Sequence, residues 1–164
     1  MEKNSESINL NLERKKVCNI NNVSNFDELD NIREIGDSEK IEMGDCLLLR
    51  KNKNITTYSY GAGPCVSGIV QTNDNKLYMF HSVADELTQE QEEIIKNVKN
   101  GIVGGGKESL NIFKSKFKNK NIKIISSPSE GNYDFNIVFV KSENQFNVSP
   151  GIYFCYDHIE DTHQ

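Results

Sequence analysis

The chain has 164 residues, 36% apolar and 26% charged, with a net charge of -5. That length suits one domain built on one hydrophobic core and excludes a multidomain machine, while the acidic balance argues against a nucleic-acid partner, which needs a concentrated Lys/Arg surface to neutralise phosphates. No apolar run approaches the roughly 20 residues of a membrane span, and the N-terminal stretch lacks the apolar core of a signal peptide, so the expectation is no membrane insertion and a cytoplasmic location in the producing cell, with delivery into a host cell without a cleaved signal as the other destination.

Residues 1–40 are rich in Asn, Ser, Asp and Glu, and their apolar residues (Leu12, Ile20, Phe26, Ile35) follow no sustained period. They read as a polar extension, disordered or solubilising. Within it, Asn25 followed by Glu28 has the spacing of a helix cap and predicts a short helix near residues 25–35. Residues 41–164 read as the domain proper. Cys46–Arg50 (CLLLR) and Ile55–Tyr60 (ITTYSY) have strand composition, and Gly61, Gly63 and Pro64 then force a turn. Cys65–Gln71, a turn at Asn73–Asn75 and Lys76–Ser82 predict a hairpin, which would set Cys65 close to opposite His81.

Thr88, with Gln91 three residues on, predicts a helix running to about Lys99 with Ile94, Ile95 and Val98 inward. A second helix is expected from Lys107 to about Lys120, with Leu110, Phe113 and Phe117 in the core. Ile122–Ser126, Tyr133–Val140 and Gly151–Tyr156 read as strands. The expected fold is α+β, a mixed or antiparallel, sandwich-like sheet core with two helices packed on it. Lys114, Lys116, Lys118, Lys120 and Lys123 cluster on an otherwise acidic chain, either as a solvated face or as a dock for an acidic partner.

The four cysteines (Cys18, Cys46, Cys65, Cys155) stand far apart without a CxxC pair and read as reduced thiols. Cys155 and His158 have a ligand-like spacing, but without a second Cys or His pair no metal site is expected. The sharpest feature is Gly61-Ala62-Gly63-Pro64-Cys65 between two strands, with His81 downstream. Acyl chemistry at Cys needs the thiolate, and a neighbouring imidazole can take the thiol proton. Small residues before the nucleophile let backbone N–H groups approach a reacting carbonyl oxygen, so Gly63 and Pro64 frame the expected oxyanion site. The plain alternative is a buried Cys65 and a satisfied strand histidine.

Gly101–Glu108 (GIVGGGKE) comes near a phosphate-binding loop, yet Glu108 stands where Ser or Thr would hold magnesium, and the preceding segment reads as helix where a strand is needed. Gly61-Ala62-Gly63 fails as a dinucleotide loop because Val66 occupies the place of the third glycine.

From Ile41 to about Val140 the chain resembles the bacterial chemoreceptor glutamine deamidase family CheD. The resemblance rests on IEMGDCLL beside that family's early V-x-x-G-E-like strand, and on Ser59-Tyr60-Gly61-Ala62-Gly63-Pro64-Cys65 beside its T-x-G-x-G-S-C signature. Gly104 to Gly106, Asn111, Ile122 to Ile125 and Gly131 continue it. It implies Cys65 as nucleophile, His81 as base and Ser59 as the assisting hydroxyl, with Thr56 and Thr57 as alternatives in another register. It also implies hydrolysis of a protein glutamine to glutamate with release of ammonia, without a cofactor, on a protein substrate bearing an exposed glutamine. Ser59 and Pro64 depart from the family's Thr and Ser. The same Cys and His arrangement is shared with the cytotoxic necrotizing factor deamidase toxins, which keeps an effector role beside a chemotaxis role. Transglutamination, and a catalytically silent protein-binding module, are the alternative functions.

Overall fold

The computed structural model describes residues 5–8, 18–34, 37–49, 55–128, 132–141 and 148–159. Leu12, Ile35, Arg50 and Gly131 lie outside them. The fold is α+β, with two mixed sheets packed face to face. The first sheet has the order β1 (Ser5–Ile8), β2 (Cys18–Asn22), β11 (Gly151–His158), β10 (Tyr133–Val140), β5 (Thr56–Ala62), β3 (Ser38–Lys40). The second has the order β4 (Cys46–Leu48), β7 (Leu77–Val83), β6 (Cys65–Thr72), β8 (Val98–Gly105), β9 (Asn121–Ile125). Helix α1 (Phe26–Arg33) covers the outer face of the first sheet, where Leu29 packs with Val138, Val140 and Cys155. Helices α2 (Gln89–Lys96) and α3 (Lys107–Lys114) cover the second, through Ile95, Leu110 and Phe113 against Val66, Val70 and Val103.

Alternation does the sorting. In β6, Cys65 and Ile69 join the layer between the sheets, whereas Val66 and Val70 face the helices. The inner layer adds Met79 and Ile102 from the second sheet and Phe135, Ile137 and Ile152 from the first. Two caps work as the spacing requires: Asn25 accepts the Glu28 N–H, and Thr88 with Gln91 forms a complete capping box.

For the described part of residues 1–40 the structure corrects the reading as an extension. β2 pairs in parallel with β11, β3 pairs in parallel with β5, and Leu29 is fully buried. These segments take their structure from backbone pairing with β11 and β5 and from a helix that buries one face, so few of their side chains need be apolar. The helix expected to reach Lys99 stops at Lys96, and Val98–Gly105 forms β8 between β6 and β9. Its glycines are needed for close packing: a Cβ at Gly104 would lie 2.5 Å from the Phe135 ring of the facing sheet. The second predicted helix ends at Lys114 and continues only as a 3-10 turn, Ser115–Phe117.

Among the described residues, no helix is long and apolar enough to cross a membrane. Of the lysine cluster, Lys120 Nζ donates to the Lys96 and Val98 carbonyls at 3.0 and 2.8 Å, and Lys116 lies 3.8 Å from Glu92. Those two serve the α2 terminus and its neighbour.

Candidate active site

The site is assembled across the two sheets. β5 of the first sheet carries Ser59 inward, opposite Ile137 of β10. A bulge follows, in which Tyr60 and Gly61 together oppose Asn136. Gly61 sits at φ +79, where glycine alone is unstrained, and its N–H donates to Asn136 Oδ1 at 2.9 Å. The chain then turns through Gly63 and Pro64 and enters the second sheet at Cys65. Gly105 and Gly106 hold this passage close: a Cβ at Gly106 would fall on the Gly63 carbonyl oxygen, and one at Gly105 on that of Cys65.

Ser59 and His81 meet directly, with Ser59 Oγ 2.9 Å from His81 Nδ1, both groups buried. Thr57 shares the inward face but lies further down β5, and Thr56 points elsewhere, so the hydroxyl that reaches the imidazole belongs to Ser59. The hairpin pivots on Asp74, so its register pairs Ser67 with His81 and Cys65 with Val83. Cys65 is therefore two positions diagonal to His81 on the same face, where a place close to opposite was expected. Among the described residues no hydrogen bond joins Cys65 to His81. Ser59 engages Nδ1 and leaves Nε2 as the other ring nitrogen of His81.

Both groups are held neutral. Burial keeps the His81 imidazole below its ordinary value of 6.5, against the opposing pull of Glu42. The Cys65 thiol, 3% exposed, is raised above its ordinary 9.0, first by burial and then by the Asp134 carboxylate. Asp134 is itself raised, by burial and by Asp157 opposite it on β11. The resting site is a thiol and a neutral base, with no preformed ion pair.

The expected oxyanion donors need correction. Gly63 N–H donates to Gly61 O at 3.0 Å within the turn, and Pro64 has no N–H. Cys155 is buried while His158, three positions along the same strand, is exposed, so their ligand-like spacing places them on opposite faces of β11. The phosphate-loop reading fails for a different reason from the one expected. A strand does precede α3, but the would-be loop is that strand: Gly101 to Gly105 pair with β6.

Three residues escaped the sequence reading of the site. Ser67, fully buried, places its Oγ 2.9 Å from Ser59 Oγ and 3.0 Å from the Phe80 carbonyl. Gln91 extends its capping role inward, donating from Nε2 to the carbonyls of His81 and Asp45 at 3.0 and 3.1 Å. Asp134 flanks Gly61 and Gly63. The signal available for Ser67 was a hydroxyl among apolar neighbours, at an inward position between Cys65 and Ile69. No protein-family model and no curated protein matches the sequence.

Proposed function

We propose that the protein is a cysteine-dependent protein-glutamine deamidase of CheD-like type, acting on a chemoreceptor or, as an effector, on a host protein. The observation that carries this reading is the Ser59–His81 hydrogen bond between the sheets, on the face that Cys65 shares. Cys65 Sγ attacks the glutamine carboxamide carbon as His81 Nε2 takes the thiol proton, and the Cys65 N–H supports the oxyanion. His81 then delivers that proton to the leaving nitrogen, which departs as ammonia and leaves a thioester. Water, deprotonated by His81, cleaves the thioester to give glutamate and the free thiol. Ser59 orients the imidazole, as the third member of a triad does. Proton transfer concerted with attack suits a site whose thiol and base both rest neutral.

The test is ammonia release and glutamine-to-glutamate conversion, read by mass spectrometry, on receptor cytoplasmic fragments and small GTPases. Conversion that disappears in Cys65→Ala and falls in Ser59→Ala supports the reading; conversion that persists in Cys65→Ala overturns it. Incorporation of an added amine in place of water would make the enzyme a transglutaminase.

Burial of Cys65, with its thiol pushed up, favours a second reading: a protein-binding module in which this thiol does no chemistry. Partner binding unaffected by Cys65→Ala, with no turnover, is its signature.

A further inference from the structure

The buried polar chain behind His81 has three contacts and few hydrogens to make them. His81 Nδ1 lies 2.9 Å from Ser59 Oγ, Ser59 Oγ lies 2.9 Å from Ser67 Oγ, and Ser67 Oγ lies 3.0 Å from the Phe80 carbonyl oxygen. Each hydroxyl owns one hydrogen, and a carbonyl oxygen only accepts. The contact with Phe80 O is a hydrogen bond only if Ser67 donates it. Ser67 then has no hydrogen for Ser59, so Ser59 must donate to Ser67. Ser59 in turn has none for the imidazole, so His81 must donate from Nδ1. One arrangement alone satisfies all three contacts: Nδ1–H to Ser59, Ser59 to Ser67, and Ser67 to Phe80 O. With Ser59 and Ser67 fully buried and His81 nearly so, an unmade bond has no water to replace it.

We infer that Ser67 is a positioning residue that fixes the tautomer of His81, anchoring the hydroxyl chain on the Phe80 carbonyl so that Nε2 keeps its lone pair facing the chemistry. The inference rests on the reading of His81 as the base. Without the Ser67 hydroxyl, the hydrogen of Ser59 is released and its remaining acceptor is Nδ1. That contact requires the proton on Nε2, and an imidazole so protonated cannot accept from the thiol. Ser67 thus acts through Ser59 and touches no reacting atom.

The experiment is a long-range nitrogen–proton correlation spectrum of the full chain labelled with nitrogen-15 histidine, the His81 ring being identified by its loss in His81→Gln. The parent should show a protonated Nδ1 and an unprotonated Nε2, with the other tautomer roughly tenfold less populated, the bias that one net hydrogen bond gives. Ser67→Ala should move the proton to Nε2, and Ser67→Thr, which keeps the hydroxyl, should restore the parent pattern. A parent with the proton on Nε2, or a Ser67→Ala spectrum identical to the parent, overturns the inference. The parent measurement stands even if a variant fails to fold. Because the readout requires no turnover, a protein with the expected tautomer and no deamidation would overturn the proposed function and leave the role of Ser67 intact.

Discussion

Ser59 and His81 belong to different sheets, yet 2.9 Å separates Oγ from Nδ1. The bond ties the facing layers together at the point where β5 leaves one sheet for the other. Ser59→Ala removes the oxygen that positions the imidazole and strands the buried His81 Nδ1, while Ser67 Oγ keeps its bond to the Phe80 carbonyl. The expected results are a kcat fall of roughly 10- to 100-fold, within the range that general base catalysis supplies, and a stability loss of about 1–3 kcal/mol. Ser59→Thr keeps the hydroxyl and should restore most of both, read by ammonia release and chemical denaturation.

Asp134 raises the Cys65 thiol above its ordinary 9.0, second to burial. Asp134→Asn removes the anion and leaves the burial, so the pH midpoint of Cys65 alkylation should move downward while remaining above that of an exposed thiol. Alkylation followed across alkaline pH with peptide-level mass spectrometry reads it. An unchanged midpoint would mean that Asp134 does not act on the thiol.

The His81 imidazole is depressed below 6.5 by burial. As the pH falls through 6.5, the unfolded chain takes up this proton before the folded one does, so the unfolded state binds more protons and stability drops. His81 therefore imposes no penalty above about pH 6.5 and destabilises progressively below it, down to its folded value. Urea unfolding between pH 7.5 and 4.5 should show this slope, and His81→Gln should flatten it. For the same reason the acidic limb of kcat/KM should lie below pH 6.5, since the base stays unprotonated until then.

Leu29 is fully buried under α1 against Val138 and Val140. Leu29→Ala should cost about 2–5 kcal/mol, the usual range for a buried leucine. A surface-like loss below 0.5 kcal/mol would show that α1 is not part of the cooperative unit.

The strands of the two central hairpin partners were legible because they alternate or run apolar between turn residues, and Tyr133–Val140 falls where its composition places it. Caps at Asn25 and Thr88 were legible because their side-chain bonds are local in sequence. β8 was not, since Val98-Lys99-Asn100-Gly101 continues a helical pattern and its glycines answer to Phe135, a residue far away in sequence. The polar first segment hid β2 and β3 for a similar reason: pairing with β11 and β5 gives them their structure, and few of their side chains need be apolar. For the site, pattern alone put Cys65 and His81 on one hairpin but misplaced their register by two positions. Ser59 entered through the family resemblance, and Ser67 and Asp134 became visible only when the sheets were stacked.

The bulge at Tyr60 and Gly61 has a consequence for the spacing between Ser59 and Cys65. In a regular strand an odd step turns a side chain to the opposite face, yet Ser59 and Ala62, three positions apart, both point inward opposite Ile137 and Phe135. The extra residue resets the phase. Tyr60 and Gly61 together take the place of one residue, so Ser59 keeps the inward face that an unbulged three-residue step from Ala62 would deny it, turning its hydroxyl to the α1 side, away from His81. The bulge is thus as much a determinant of the site as the side chains themselves, and glycine at position 61, at φ +79, is what lets the chain make it.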